Sequence, residues 1–265
     1  AACIAAAVLL TAGFFLYIHI VDKNTLGREI KIYGMNVSHL TVEKAEQKIA
    51  ETFAGREISF QEDDKEVYRI TMKDLGYSLD MNVLKTQLDA IKKERDADRQ
   101  IFAHPVNFKM GYQIQKDKQQ EQTALSVSHF NNKERTASVS ASIAYDEQKK
   151  AFAITNDVQG NEIDEQRLSN HVNETLDQIF QEDLLGGEIR ISLGTAVYVQ
   201  PETVVTAEME QKLKDLNDQL QKYRSTTVTY TFGPASQVLD SSVIESWIRI
   251  QGDKVSLDEV SVKAY

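Results

Sequence analysis

One spacing constrains this chain more than any other: a pattern of residues recurs about 84 positions on. Tyr68/Phe152, Ile70/Ile154, Gly76/Gly160, Leu79/Ile163, Asp80/Asp164, Leu84/Leu168 and Leu88/Val172 are all 84 apart. Val106/Ile189, Phe108/Ile191 and Gly111/Gly194 are 83 apart, so a single-residue gap accounts for the change. Each copy reads in the same order: two short runs of alternating apolar residues, a glycine turn, an aspartate, a helix with one apolar face, then a strand ending at glycine. Self-similarity at a fixed offset is the mark of a repeated supersecondary unit. The spacing predicts an α+β protein whose residues 57–111 superpose on residues 140–194.

The shared aspartate has a physical role that needs no ligand. Leu79 or Ile163 precedes it, and Leu84 or Leu168 follows at the fourth helical position. This is a hydrophobic staple across a capped helix start. The carboxylate takes an orphan backbone N–H at the positive end of the helix, worth about 1 kcal/mol. Leu239-Asp240 with Ile244, and Leu257-Asp258 with Val262, repeat the device. Asp80, Asp164, Asp240 and Asp258 are therefore read as caps rather than as a catalytic or metal-binding set.

Around these repeats the pattern is coarser. Ile30 and Ile32 alternate in a short strand, and Gly34 and Asn36 turn it. Thr41 caps a helix with Val42, Ala45, Ile49 and Phe53 on one face. Glu62-Asp63-Asp64-Lys65 reads as the solvated turn of a hairpin. Met209, Leu213, Leu216, Leu220 and Tyr223 are spaced 4, 3, 4, 3, which over two heptads predicts a helix packed on its own domain rather than a coiled coil. Trp247 falls in register with Val243 and Ile244 and reads as core. The expected division is repeat 1 over residues 25–113, repeat 2 over residues 114–200, and a connecting helix, strand and further start over residues 201–265.

The first 21 residues, Ala1 to Val21, carry no charge. As a helix they would span roughly 31 Å, enough for a hydrocarbon core of about 30 Å. A cleaved signal peptide is the rival, but its apolar core would be shorter and a small-x-small site would follow. Phe14-Phe15-Leu16-Tyr17-Ile18 and Asp22-Lys23-Asn24 do not fit that rival. The run predicts a transmembrane anchor over residues 1–21, with the bulk of the chain extracellular. The chain starts without an initiator Met and reads as a fragment.

Composition narrows the partners. Lys+Arg is 30 against Asp+Glu 40, a net charge of -10, which disfavours nucleic acid. Lys92-Lys93 and Lys149-Lys150 are isolated pairs and read as solvated surface. The single cysteine, Cys3, lies in the apolar run, so the remainder has no disulfide, thiolate nucleophile or Cys-ligated metal. His39, His104, His129 and His171 form no metal-binding spacing, and the nucleophile and phosphate-loop motifs are absent. A glycosidase needs two carboxylates brought together in space, which spacing alone does not identify. The sequence thus gives no catalytic residue, no metal ligand, no cofactor and no identifiable binding residue. Asn36-Val37-Ser38 and Asn173-Glu174-Thr175 match the glycosylation pattern, which only a glycosylating host would use.

Tyr33-Gly34-Met35-Asn36-Val37-Ser38-His39-Leu40-Thr41-Val42-Glu43-Lys44-Ala45 resembles the pattern that opens the wall-facing region of membrane-anchored L,D-transpeptidases and of vancomycin-resistance accessory proteins. Ala141 to Tyr145, Phe152-Ala153-Ile154, Gly160-x-x-Ile163-Asp164 and Tyr198-Val199-Gln200-Pro201 resemble the peptidoglycan-binding domain of those transpeptidases. Leu239-Asp240-x-x-x-Ile244-x-x-Trp247 is similar to the segment just before their catalytic domain. His39 stands where the family has glycine. The family's catalytic segment, with its cysteine nucleophile, is absent. The resemblance implies the peptidoglycan-binding and spacing arm of such an enzyme, not itself catalytic, with the catalytic domain expected after Tyr265. A non-catalytic structural or signalling ectodomain and an independent wall enzyme are the alternatives.

Overall fold

Short strands and amphipathic helices alternate along the whole of a computed structural model that describes residues 11–16, 20, 23–97, 104–130 and 133–265. They gather into two units that do not follow chain order. Unit 1 takes residues 1–134 and 163–198, and unit 2 takes residues 135–162 and 199–265. The segment expected as the second repeat is therefore shared, its hairpin in unit 2 and its helix and last strand in unit 1.

Among the described residues, unit 1 holds three small sheets. The first has the order β2 (Met35–Asn36), β1 (Ile30–Ile32), β6 (Val106–Phe108), and the second has the order β4 (Lys65–Thr71), β3 (Glu57–Glu62), β10 (Ile189–Ser192). The third pairs β5 (Tyr77–Leu79) with β7 (Ile114–Lys116). Against them pack α1 (Val42–Ala54), α2 (Met81–Ala97) and α4 (Glu165–Glu182), while the short α3 (Lys118–Ala124) follows β7. Their apolar stripes are buried at helical spacing: Ala45, Ile49 and Phe53 on α1, Leu84 and Leu88 on α2, and Leu168, Val172, Leu176 and Phe180 on α4. Phe53 and Phe180 meet with ring centroids 5.6 Å apart. Between β3 and β4 the turn residues Asp63 and Asp64 take φ +52° and +60°, the left-handed geometry of a two-residue hairpin.

Two of these pairings are parallel, although the sequence pattern predicts only hairpins. β6 runs parallel to β1, and β10 runs parallel to β3. Each strand follows an Asp-capped helix and joins the first strand of a hairpin that lies one hairpin further back. The repeat is visible locally. Leu79 pairs with Ile114 and Ile163 with Tyr198, and both partners are 84 residues apart. The N–H of Asp80 donates to Gln113 O at 2.8 Å, and that of Asp164 to Val197 O at 2.9 Å.

Unit 2 is built on α5 (Ala207–Ser225) with three hairpins, β8 (Ser142–Asp146) with β9 (Ala151–Thr155), β11 (Val228–Phe232) with β12 (Ala235–Leu239), and β13 (Ile248–Gln251) with β14 (Lys254–Leu257). Two short helices, α6 (Ser241–Ser246) and α7 (Glu259–Ala264), link and follow the last two. Of the 4, 3, 4, 3 stripe on α5, Leu216 and Leu220 are buried, with Phe152 and Val255 against them. Trp247 is the C-cap of α6 and lies half-buried against Tyr265, ring centroids 5.4 Å apart.

The expected transmembrane helix, and with it the single-pass membrane localisation, is corrected. Among the described residues no helix is long and apolar enough to cross a membrane. Within the expected span, the described residues 11–16 and 20 are helical and exposed. Residues 1–10, 17–19 and 21, Cys3 among them, lie outside the described residues.

Candidate functional site: a polar cleft beside α3 and α4

Two capped helix starts position the site. Asp117 accepts from the N–H groups of Gln119 and Gln120, at 3.0 and 3.1 Å, and starts α3 directly after β7. Asp164 accepts from Arg167 N–H at 2.8 Å and starts α4. Lys116 on β7, Glu121 and Gln122 on α3, and Gln166, Ser169 and Asn173 on α4 then line one cleft of about 590 Å3. That volume lies within the usual range for a small-ligand site. Gly76 lets the β5 turn pass close to α3: its φ is +90°, and a Cβ there would lie 2.9 Å from Asp117 O.

The floor of the cleft is a fixed hydrogen-bond network. Glu121 is 7% exposed. Its Oε1 accepts from Ser169 Oγ at 3.1 Å and from Asn173 Nδ2 at 2.6 Å. Asn173 Oδ1 accepts in turn from Tyr77 Oη at 2.7 Å and Lys116 Nζ at 2.6 Å. Lys116 also sits over the Tyr77 ring, 5.0 Å from its centroid, and pairs with Asp177 Oδ1 at 3.5 Å. Burial raises the Tyr77 phenol well above the ordinary tyrosine range, and the charges of Glu121 and Asp177 raise it further. The phenol therefore donates to Asn173 throughout the neutral range. With both ends of its amide engaged, Asn173 is fixed in orientation. The lining of the cleft comprises two ammonium groups (Lys116, Lys118), two carboxylates (Glu121, Glu165) and the exposed amides of Gln122 and Gln166, the latter donating from Nε2 to Asn170 Oδ1 at 3.0 Å. A ligand with amide, hydroxyl and carboxylate groups matches it better than an apolar one.

The aspartates read as caps act as caps. Asp80 accepts from Asn82 and Val83 N–H at 2.9 and 3.1 Å, and Asp240 from Ser242 and Val243 N–H at 2.9 and 3.2 Å. Asp258 accepts from Val260 N–H at 3.2 Å. Hydrogen bonds hold all three carboxyls below the usual range: chiefly from Val83 N–H to Asp80, from the Ser242 hydroxyl to Asp240, and from the Ser261 hydroxyl to Asp258. The staple is packed at Leu79/Leu84, Ile163/Leu168 and Leu239/Ile244, whereas Val262 is 41% exposed and leaves the fourth one open.

Two sequence expectations are corrected. Glu62 does not belong to a solvated turn: its side chain is 1% exposed, it accepts from the Tyr198 hydroxyl, and Lys133 Nζ lies 3.2 Å away. Lys92 is not a bare surface lysine, since it donates to the carbonyls of Lys23 and Thr25 at 2.9 and 3.0 Å. Asn173, read only as part of a glycosylation pattern, has its amide nitrogen committed to Glu121 and to Ser169 O. The histidines stay apart: His129 stacks on Tyr68 with centroids 5.0 Å apart, and His171 Nε2 pairs with Ser192 O at 3.0 Å. Among the described residues no group of three His, Cys, Asp or Glu side chains is placed to hold a metal ion. Sequence reasoning missed the cleft because its network joins residues up to 96 apart, Tyr77 to Asn173. The local signal was Asp117 with Gln120 three residues on, a helix-start pattern of the capping-box type. Comparison with known proteins gives no matching family model, no matching curated protein and no matching solved structure.

Proposed function

We propose that this chain binds and spaces peptidoglycan without processing it, as the wall-facing arm of an L,D-transpeptidase would. The observation that carries the reading is the polar cleft beside α3 and α4. A peptidoglycan stem peptide presents amides and carboxylates, and the cleft presents Lys116 to the carboxylates and Gln122, Gln166 and Ser169 to the amides. The net charge of -10 works against simple attraction to anionic wall polymers. Retention should therefore survive added salt, which screens exposed charges over about 10 Å at 0.1 M. The order of the wall-facing sequence patterns supports the same reading.

The test is sedimentation of the full chain with purified wall sacculi at low and high salt, with analysis of released muropeptides. Retention should persist in salt and fall at least tenfold in the double variant Q122A/Q166A, whose two exposed side chains lie outside the core. No retention would leave only a spacer. Retention abolished by salt would leave nonspecific charge attraction. New cross-links or cleavage products would overturn the non-catalytic reading.

A further inference from the structure

Unit 2 has a slot between two of its hairpins that no strand fills among the described residues. The outer edges of two hairpins are clamped by amide side chains of α5. Phe152 N–H on β9 donates to Asn217 Oδ1 at 2.8 Å, and Asn217 Nδ2 donates back to Phe152 O at 3.0 Å. On β14, Val255 O accepts from Gln219 Nε2 at 3.5 Å. Opposed residues in an antiparallel pair either bond each other or both point their backbone groups away. Tyr145 is opposite Phe152, and Ile250 is opposite Val255. The backbone groups of Tyr145 and Ile143 thus point out from β8, and those of Ile250 and Ile248 point out from β13. Both sheets are two-stranded, so neither edge is met by a strand among the described residues, although the β8 edge is closed at its start, where Ala141 N–H donates to Thr203 O at 2.8 Å.

Two cavities on α5 lie beside these edges. Ser142 and Ile143 of β8 share a cavity of about 550 Å3 with Met209 and Lys212 of α5 and with Asp253 of the β13–β14 turn. Tyr145 shares one of about 370 Å3 with Arg224 of α5 and with Ile248 and Ile250 of β13. Burial falls toward these cavities: Phe152 and Val255, on the clamped strands, are buried, whereas Ile143, Tyr145, Ile248 and Ile250 are only half-buried. Three ion pairs lie at their mouths, Lys212 with Asp253, Arg224 with Glu245 at 3.2 Å and Arg249 with Asp258 at 2.8 Å; Arg224 also donates to Tyr145 Oη at 2.9 Å, and Glu208, Glu147 and Lys150 add charges of both signs to the lining. The slot therefore complements a neutral backbone rather than an ion. Two rows of outward N–H and C=O groups over α5 match the groups that an extended polypeptide carries on its two edges.

The chain itself shows what fills such a place. β8–β9 is the counterpart, 84 residues on, of β3–β4, as Phe152 is of Tyr68. In unit 1, β3 carries β10 in parallel, with Ile189 and Ile191 buried at 2% and 1% exposure. We infer that the slot between β8 and β13 binds an extended peptide strand, parallel to β8, with aliphatic side chains at alternate positions set on α5. The product is a five-stranded sheet in the order β9, β8, peptide, β13, β14. This site is separate from the α3–α4 cleft and does not depend on the peptidoglycan reading.

The test uses the full chain and a synthetic peptide with the sequence of residues 187–194, Gly-Glu-Ile-Arg-Ile-Ser-Leu-Gly, the strand that fills the equivalent place beside β3. Amide hydrogen exchange at Ile143, Tyr145, Ile248 and Ile250 should slow at least tenfold in millimolar peptide, while Phe152, already bonded to Asn217, should not change. The same peptide N-methylated at its two isoleucines should have no effect. Unchanged exchange, or equal slowing by the N-methylated peptide, would overturn the inference. Slowing that tracks protein concentration without peptide, together with a dimer in size-exclusion chromatography, would assign the slot to a second copy and overturn it as well.

Discussion

Replacing Arg56 by Met should destabilise unit 1 by about 3–5 kcal/mol. Arg56 follows the end of α1 and opens β3, and it is 7% exposed. Its Nε donates to Gly187 O at 2.7 Å, and its Nη1 to Asp183 O at 2.6 Å and Leu184 O at 3.2 Å. These carbonyls belong to the turn between α4 and β10, so one guanidinium holds the segment that sets β10 against β3. Burial works against its charge, and the Asp183 carboxylate partly offsets that. Each charge-assisted bond contributes about 1.5–3 kcal/mol, and a buried carbonyl left without a donor costs about 1–3 kcal/mol. The three are not additive because they share one side chain, which gives the range above. At about 2–4 °C per kcal/mol for a chain of this size, thermal unfolding followed by circular dichroism should shift down by roughly 6–20 °C. Arg56→Lys should recover part of the loss through one or two of the bonds. A loss below about 1 kcal/mol for Arg56→Met would refute the view that this side chain joins β3 to the α4–β10 turn.

Three smaller perturbations test other parts of the structure. A Cβ on Gly160 would lie 2.3 Å from Thr136 O and 2.4 Å from Ala137 C, so Gly160→Ala should cost about 1–3 kcal/mol or more in urea unfolding; Gly194→Ala, with nothing within 4 Å, should stay within about 0.5 kcal/mol. His39 sits at φ +60°, where a side chain is strained by about 1–2 kcal/mol, and His39→Gly should stabilise the chain by about 0.5–1 kcal/mol after the added freedom of the unfolded glycine is subtracted. The Tyr77 phenol is raised in the folded state, so its contribution is full below the unfolded tyrosine range near pH 10 and is lost as pH rises from there toward the folded value. Denaturant titrations between pH 8 and 11 should show a decline that Tyr77→Phe reduces; an unchanged decline would place its source elsewhere.

What the sequence made legible follows the range of the forces involved. Cap and staple act within one turn of helix, and Asp80, Asp164 and Asp240 with their apolar partners are where local chemistry puts them. Hairpins are local as well, and the Glu62–Lys65 turn closes as its residues predict, though Glu62 itself turns inward to Tyr198, 136 residues away. Parallel pairing was not legible. The choice of β1 by β6, or of β3 by β10, depends on which strand edge lies within reach after the helices pack, and no local residue encodes that. The cleft stayed hidden for the same reason. Lys116 and Glu121 lie in a polar stretch that carries little apolar periodicity, and their roles arise only when α4 brings Ser169 and Asn173 beside them. His39 is the reverse case: its residue type gives no local signal of the left-handed backbone it adopts at φ +60°.

The central claim, ligand recognition in the α3–α4 cleft, is tested most directly by amide and side-chain chemical shifts of the full chain titrated with soluble muropeptides carrying intact stem peptides. The account predicts saturable shifts confined to Lys116, Gln122, Gln166, Ser169 and their neighbours, still present in high salt and lost in Q122A/Q166A. Saturable shifts centred elsewhere, or none at millimolar muropeptide, would contradict it.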